Sequence, residues 1–432
     1  MWLIWAGIIL IIVYIVLRIL CTRLLYSVYH DVETDIRRNP DDEYHTTIHD
    51  AVENIPCYSI DHDIPVMTKK RLQDVGCLNR HIIPLLFTKS MTTNSGSDNR
   101  ENRSDFFSML YAFILFVCDD RYAIATSTGG TSGTSFYYWY NKSDTAELLK
   151  SYMYCWRTFG WEPSKKVLVY YGHPSSGGSF IKYFSFCNVN ALIPSFHNGD
   201  ITESSIVELL ATIEQNRPYI LESMPNFMFR VAQYMYRKGI VLTHKIRGLS
   251  LSGDFLFRCQ YDFIRRVFGP DTTVLMSYGA VEFGQIAQQA SEDDLYTYGV
   301  FRTVARVENI GDNLAITRFR FRNMPIIRYL IDDLGTVTAD GAFLKNLVGK
   351  NKKGVDLIGI NNAVESLRCA HIINVRIRGR ALVLTTLEPL DDSVRVRLEY
   401  LTGYSVESVR CDAGSCATSD NMEGKVTPVL AA

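Results

Sequence analysis

The sequence predicts an α/β protein: a large N-terminal lobe of parallel-rich sheet and helices, a small α+β domain at the C-terminus, and one transmembrane helix at the N-terminus. Three observations predict this. Between Lys166 and Gly279, β-rich apolar runs alternate with runs of helical spacing, the rhythm of a parallel sheet. From about Thr297 the pattern turns strand-rich, and the final eighty or so residues mix strand and helix. Met1 to Leu17 carries no charge at all.

That first segment, extended past Arg18 by Ile19, Leu20 and Cys21, reaches the roughly twenty residues that span a ~30 Å hydrocarbon core. Trp2 and Trp5 suit the interface, and Arg18 can snorkel to it. No basic residue precedes the run and no small-residue cleavage site follows it, which argues against a secretory signal. Arg18, Arg23, Arg37 and Arg38 all follow, so the positive-inside rule makes this a single-pass membrane protein with its bulk in the cytoplasm. In the opposite orientation Asn102 and Asn141 would be glycosylation acceptors.

The remainder is globular, with 47% hydrophobic and 21% charged residues. A net charge of -1 removes the basic face that a nucleic-acid partner needs. The ten cysteines show no CxxC spacing and are read as reduced, mostly buried thiols. A polar connection runs into helix before Ile55, and Thr93 to Asp105 is a solvated loop. "FFSMLYAFILFVC" is a buried helix or strand, and "RYAIA" a strand. "FYYWYNKSDTAELLKSYMYCWRTFG" reads as helical. Then come "KVLVYYG" as strand, Glu203 to Pro218 as helix, "PYILESMP" as strand and "MPNFMFRVAQYMYRKGI" as helix closed by Gly239. "IRGLSLSGD", "CQYDFIRRVFG" and "TTVLMSYG" continue as strand, helix, strand. No internal repeat is present.

Between "RYAIA" and the aromatic run lies "TSTGGTSGTSF", Thr126 to Phe136. A strand, a glycine- and hydroxyl-rich turn and then a helix let backbone N–H groups converge on an anion. The turn lacks the lysine of a Walker loop and is not GxGxxG.

"STGGTSGTS" resembles the phosphate loop of the adenylate-forming (acyl-CoA synthetase) superfamily, closest to the phenylacetate–CoA ligase and CapK branch. Further landmarks recur in that family's order over residues 107–432. "YYGHPSSGG" places His173 beside an acyl pocket, and "LSLSGDF" places Gly253 and Asp254 at a strand-ending turn. "SYGAVEFG" resembles the YGxTE motif, "MPIIRYLIDDLG" resembles PLIRYRTGDLG, and "NMEGKVTPV" supplies a late Gly-Lys. The resemblance implies ATP-dependent activation of a small-molecule carboxylic acid to an acyl-adenylate, with transfer to coenzyme A or another acceptor. It implies phosphate binding by Ser127, Thr128, Gly129, Gly130, Thr131, Ser132, Gly133 and Thr134. Tyr278 and Gly279 would meet adenine, Asp333 the ribose, Glu282 a Mg²⁺ ion, and Lys425 the reacting groups from a mobile small domain. The domains are then 1–24, 25–345 and 346–432. Departures from the pattern are Val281 for a hydroxyl residue, Ser135 for proline, Asp332 for glycine, and Lys350 for arginine with no acidic pair. They support an alternative, a catalytically inactive, membrane-tethered nucleotide-binding scaffold. A membrane location suits a long-chain, polyprenyl or envelope-linked acid.

Overall fold

The computed structural model describes residues 23, 25–58, 64–74, 83–85, 119–127, 137–170, 183–186, 189–192, 203–350, 355–369, 371–410 and 430–431. The apolar N-terminal run, residues 128–136, His173 and Lys425 lie outside the described residues. Among the described residues no helix is long and apolar enough to cross a membrane.

The predicted α/β rhythm is present. Strands β1 (Ile83–Leu85), β2 (Tyr122–Ser127) and β3 (Tyr137–Tyr140) form a three-stranded sheet. The twelve-stranded sheet contains β4 (Val167–Tyr170), β5 (Tyr183–Phe186), β6 (Val189–Leu192), β7 (Ile220–Ser223), β8 (Gly248–Ser252) and β9 (Thr273–Ala280). It continues through β10 (Gly284–Ser291), β11 (Asp294–Val300), β12 (Ala305–Ile310), β13 (Asn313–Arg318), β14 (Tyr329–Val337) and β15 (Phe343–Lys350). Strands β6, β4, β7, β8 and β9 run parallel, with a helix crossing over between β6 and β7, between β7 and β8 and between β8 and β9; β5 pairs antiparallel with β6, and the strands after β9 pair antiparallel. The sheet is therefore mixed, as expected where a helical rhythm gives way to a strand-rich one.

Helix α1 covers 25–35 and α2 covers Pro40–Asn54, followed by α3 (Lys69–Asp74) and α4 (Lys142–Arg157). Crossover helices α5 (Glu203–Asn216), α6 (Pro225–Lys238) and α7 (Arg258–Phe268) follow. Helix α6 opens on a proline in its first turn and stops at Gly239, whose φ of 62° is left-handed.

One element differs from the sequence reading. Residues 137–140 form a strand, and the helix begins only at Lys142, capped by the Asn141 side chain, which accepts from Asp144 N at 2.8 Å. The run pairs antiparallel with β2, with Tyr138 and Tyr140 buried and Trp139 half-buried between them. The glycine-rich turn thus joins two antiparallel strands and does not lead directly into a helix.

The N-terminal helices are clasped to the lobe by a buried ionic cluster. Arg320 meets Asp35 at 3.2 Å, Glu43 at 3.3 Å and Glu147 at 2.9 Å, and Lys150 meets Glu147 at 2.8 Å and Asp35 at 3.3 Å. Cys155, Cys259 and Cys369 are free, as expected. Cys57 is instead disulfide-bonded, to a partner outside the described residues.

A second hydrophobic core belongs to the C-terminal part: α8 (Leu357–Ser366), β16 (Ile372–Arg378), β17 (Ala381–Thr386), α9 (Asp392–Thr402), β18 (Ser405–Arg410) and β19 (Leu430–Ala431). Its four-stranded sheet runs β18-β17-β16-β19. Phe257 inserts into this core from the large lobe. The start of α7 docks the small unit: Arg258 N donates to Asn361 at 2.8 Å, and Gln260 Nε2 donates to Asn374 Oδ1 at 2.6 Å. Strand β15 pairs with β11 and β14, so residues 346–350 continue the large sheet.

Candidate active site

The carboxyl ends of parallel strands β4, β7, β8 and β9 converge on one edge, the place where ligands bind in open α/β sheets. Gly253 and Asp254 directly follow β8, where Ser252 pairs with Ser277. Gly253 takes a φ of 105°, which lets the chain turn out of the strand there. Tyr278 and Gly279 follow Ser277 on β9, and Glu282 sits in the β9–β10 turn.

That turn is held rigidly. Gly284 has a φ of 68°, and a Cβ there would lie 2.6 Å from both Leu148 Cδ1 and Ser151 Oγ of α4. The Phe283 carbonyl accepts from Arg318 Nε at 3.0 Å. Arg318 is fully buried and also donates to the Val304, Phe319 and Glu147 carbonyls. Burial pulls its guanidinium down to about 10, so it stays charged at neutral pH.

Asp333 lies 55 residues away in sequence, on β14, yet its Oδ2 accepts from the Tyr278 hydroxyl at 2.8 Å. A register shift explains how. Leu314 pairs with Ile331 while Asn313 pairs with Leu334, which leaves Asp332 and Asp333 as a bulge against β13. Glu282 is buried and hydrogen-bonded by the Tyr329 side chain. Burial, and then the Asp333 carboxylate, raise the Tyr278 phenol well above its ordinary value. Burial, followed by the charge of Glu282, raises Tyr329 likewise. Both phenols therefore remain protonated donors to carboxylates.

Strand β3 reaches the same place at Tyr140, opposite Ile124, where the Tyr140 hydroxyl donates to the Val281 carbonyl, one residue from Glu282; Ser127 ends β2 at the other end of this pair, opposite Tyr137. Tyr138 donates to Met324 O, and Asn323 Nδ2 donates to Trp139 O at 2.7 Å. Tyr278, Gly279, Glu282, Asp333, Gly253 and Asp254 are thus grouped, with Ser127 at the border of β2. The ligand set inferred for Thr128 to Thr134, and the positions of His173 and Lys425, lie outside the described residues.

Sequence reasoning did not single out Tyr329 or Arg318. Tyr329 stood in the quoted "MPIIRYLIDDLG", but nothing in its spacing marked it as the partner of Glu282. Among the described residues no group of three or more His, Cys, Asp or Glu could hold a metal. Glu282 offers one carboxylate, which fits Mg²⁺ when substrate phosphates complete its shell.

No protein-family model matches the sequence, and no curated protein matches it. The fold is matched by crystal structures of 2-hydroxyisobutyryl-CoA ligase in the postadenylation state. The complex with R3-HIB-AMP is 12% identical, with 90% of this chain and 88% of that chain covered and a TM-score of 0.59. The complex with 2-HIB-AMP is 13% identical over 90% and 88%, with a TM-score of 0.54. The chain shares the fold of 2-hydroxyisobutyryl-CoA ligase. At this identity the likeness concerns architecture: the large mixed sheet and the small C-terminal sheet.

Proposed function

We propose that the protein activates a carboxylic acid with ATP, forming an acyl-adenylate and releasing pyrophosphate, and then passes the acyl group to coenzyme A or another acceptor. The observation that carries this reading is the hydrogen bond between Tyr278 and Asp333, with Glu282 in the turn that follows Tyr278. These are three residues that the sequence resemblance required to share a cleft. We place the protein in the phenylacetate–CoA ligase and CapK branch on the strength of "STGGTSGTS" and "MPIIRYLIDDLG".

A carboxylate attacking a polyphosphate must be aligned, and charge on the leaving group must be offset. Asp333 accepts the ribose hydroxyls, held in position by its bulge and by Tyr278. The ring of Tyr278 and the backbone of Gly279 border the base. Gly253 and Asp254 border the acid together with His173. Backbone donors at 127–134 cradle the phosphates. Lys425 brings a mobile charge to the large lobe from the small domain, whose first residues, 346–350, still belong to the large sheet although the sequence put the boundary at 345/346. Glu282, oriented by Tyr329, would hold Mg²⁺, which would supply charge neutralisation on the phosphates.

Residues 1–24 are proposed as a single-pass anchor with the lobes in the cytoplasm. The disulfide at Cys57 argues against a reducing compartment. Translation with microsomes decides: glycosylation at Asn102 refutes the cytoplasmic orientation. Asn141 is no reporter, being buried with its Nδ2 donating to Asp120 O at 2.9 Å.

ATP–pyrophosphate exchange over a panel of acids tests the reading, comparing wild type with Lys425→Ala and Asp333→Ala. Exchange in wild type that both variants abolish is expected. No exchange with any acid, together with no ATP-dependent thermal shift, favours an inactive scaffold.

A further inference from the structure

The amino ends of the parallel strands form the edge of the sheet opposite the candidate site, and basic residues line it. Tyr219 N donates to Lys166 O at 2.8 Å, Arg247 N to Tyr219 O at 2.9 Å and Thr273 N to Arg247 O at 3.0 Å. Neighbouring strands sit ~4.8 Å apart, so the residues that start them stand in one row. Arg217 and Lys245 lie two residues before Tyr219 and Arg247, and Lys238 and Arg266 occupy the last turns of α6 and α7 at the same edge. Each of these Lys and Arg side chains is exposed. The carboxylates on this face already have partners: Asp271 pairs with Lys245, Glu214 accepts from Thr243 N at 2.6 Å, and Glu162 lies 3.9 Å from Lys165. The row ends beyond β9 at the acidic turn of Glu292, Asp293 and Asp294, where Glu292 Oε1 accepts from Val274 N at 3.1 Å. A net charge of -1 over the whole chain conceals this local excess of cations.

An apolar tip stands among the cations. Val241 is 86% exposed and Tyr236 41%. The loop that carries Val241 leaves α6 at the left-handed Gly239 and is fixed by the Thr243–Glu214 bond and by His244 Nε2, 2.7 Å from Pro218 O. An aliphatic side chain held out beside lysines and arginines suits an anionic bilayer: lipid phosphates attract the bases, and the apolar tip inserts among the headgroups. A nucleic acid would use the charge but not the valine.

The N-terminal helix meets the same edge. Arg23 and, on α1, Tyr26 and His30 share a cavity with Glu162 and Pro163 of the loop before β4. The Tyr29 ring packs edge-on against Trp161, centroids 5.8 Å apart, and Trp161 Nε1 donates to Lys165 O at 2.9 Å. In sequence, the uncharged run Met1 to Leu17 precedes this helix.

We infer that the surface of Lys166, Arg217, Lys245 and Arg247 around Val241 docks on an anionic phospholipid bilayer, with the candidate site at the opposite edge facing away from the lipid. Such docking does not depend on the adenylation reading.

The test reconstitutes the full chain with vesicles of phosphatidylcholine, with or without about a third phosphatidylserine, and follows amide hydrogen exchange over residues 236–247. With phosphatidylserine, exchange there is expected to slow about fivefold or more, and about 0.5 M salt should reverse the effect by screening. Peptides over α9, whose Tyr400 is also exposed, should exchange equally in both vesicles. Arg217→Glu combined with Arg247→Glu should remove the slowing, and Val241→Asp should remove most of it; these side chains are exposed, so thermal unfolding should stay as in wild type. Equal exchange of 236–247 in the two kinds of vesicle, or slowing that survives either variant, overturns the inference. Slowing of the same size by a short DNA duplex, left intact by Val241→Asp, would assign the face to a nucleic acid and overturn the bilayer as its partner.

Discussion

Replacing Asp144 with asparagine perturbs the carboxyl that joins α4 to the segment behind the site. Asp144 is fully buried and accepts backbone N–H bonds from Arg322, at 3.0 Å, and from Asn323. Burial nonetheless pushes its carboxyl from 3.8 up to about 7. One pKa unit corresponds to about 1.4 kcal/mol, so holding the ionised form costs the fold about 4 kcal/mol. The sign follows from which state releases the proton first. Between about pH 4 and pH 7 the unfolded chain has lost this proton and the native state keeps it. Stability is therefore greatest below that window, falls by about 1.4 kcal/mol per unit through it, and levels off above pH 7. Asparagine carries no charge and lacks that slope, while its carbonyl can still accept the Arg322 N–H. Urea unfolding of both proteins from about pH 5 to about pH 8.5 reads the difference directly. The stability of Asp144→Asn relative to wild type should rise by roughly 2 kcal/mol between pH 5 and pH 7, and by only a few tenths more above it. Parallel curves would refute the reasoning, whatever the constant offset from the altered hydrogen bonding.

Three further substitutions probe the frame of the site. Gly284→Ala forces a side chain into a left-handed position and against Leu148 and Ser151, and should cost about 2 kcal/mol or more by urea unfolding. Arg320→Ala leaves Asp35, Glu43 and Glu147 without their shared cation; a loss of about 3 kcal/mol is expected, with faster proteolysis within α1 and α2. Gln260→Leu strands the Asn374 side chain at the junction of the two cores and should speed amide exchange in β16 and β17 while leaving β8 and β9 unchanged.

Strands β4, β7, β8 and β9 and helices α5, α6 and α7 were legible because each of those strands is a short apolar run ended near Gly, Ser or Pro, and each crossover helix keeps its spacing, whereas β5 and β6 were not read from the sequence. Residues 137–140 were misread because four aromatic residues in a row carry no visible period, and only Asn141, as a helix cap, marks the boundary. The bulge at Asp332 and Asp333 was equally hidden, since register shifts depend on the partner strand. Tyr278, Glu282 and Asp333 were legible through motif order. Arg318 was not: a buried polar side chain looks like any other until its neighbours are known.

Equilibrium binding of ATP with Mg²⁺ to wild type and Asp333→Ala, followed by calorimetry, tests the central claim most directly. Saturable binding that weakens by about tenfold or more in the variant, with both proteins equally folded, is the predicted result; a loss of that size corresponds to about 1.4 kcal/mol or more. Equal affinity of the two proteins, or no binding by wild type, would contradict a nucleotide site at Tyr278, Glu282 and Asp333.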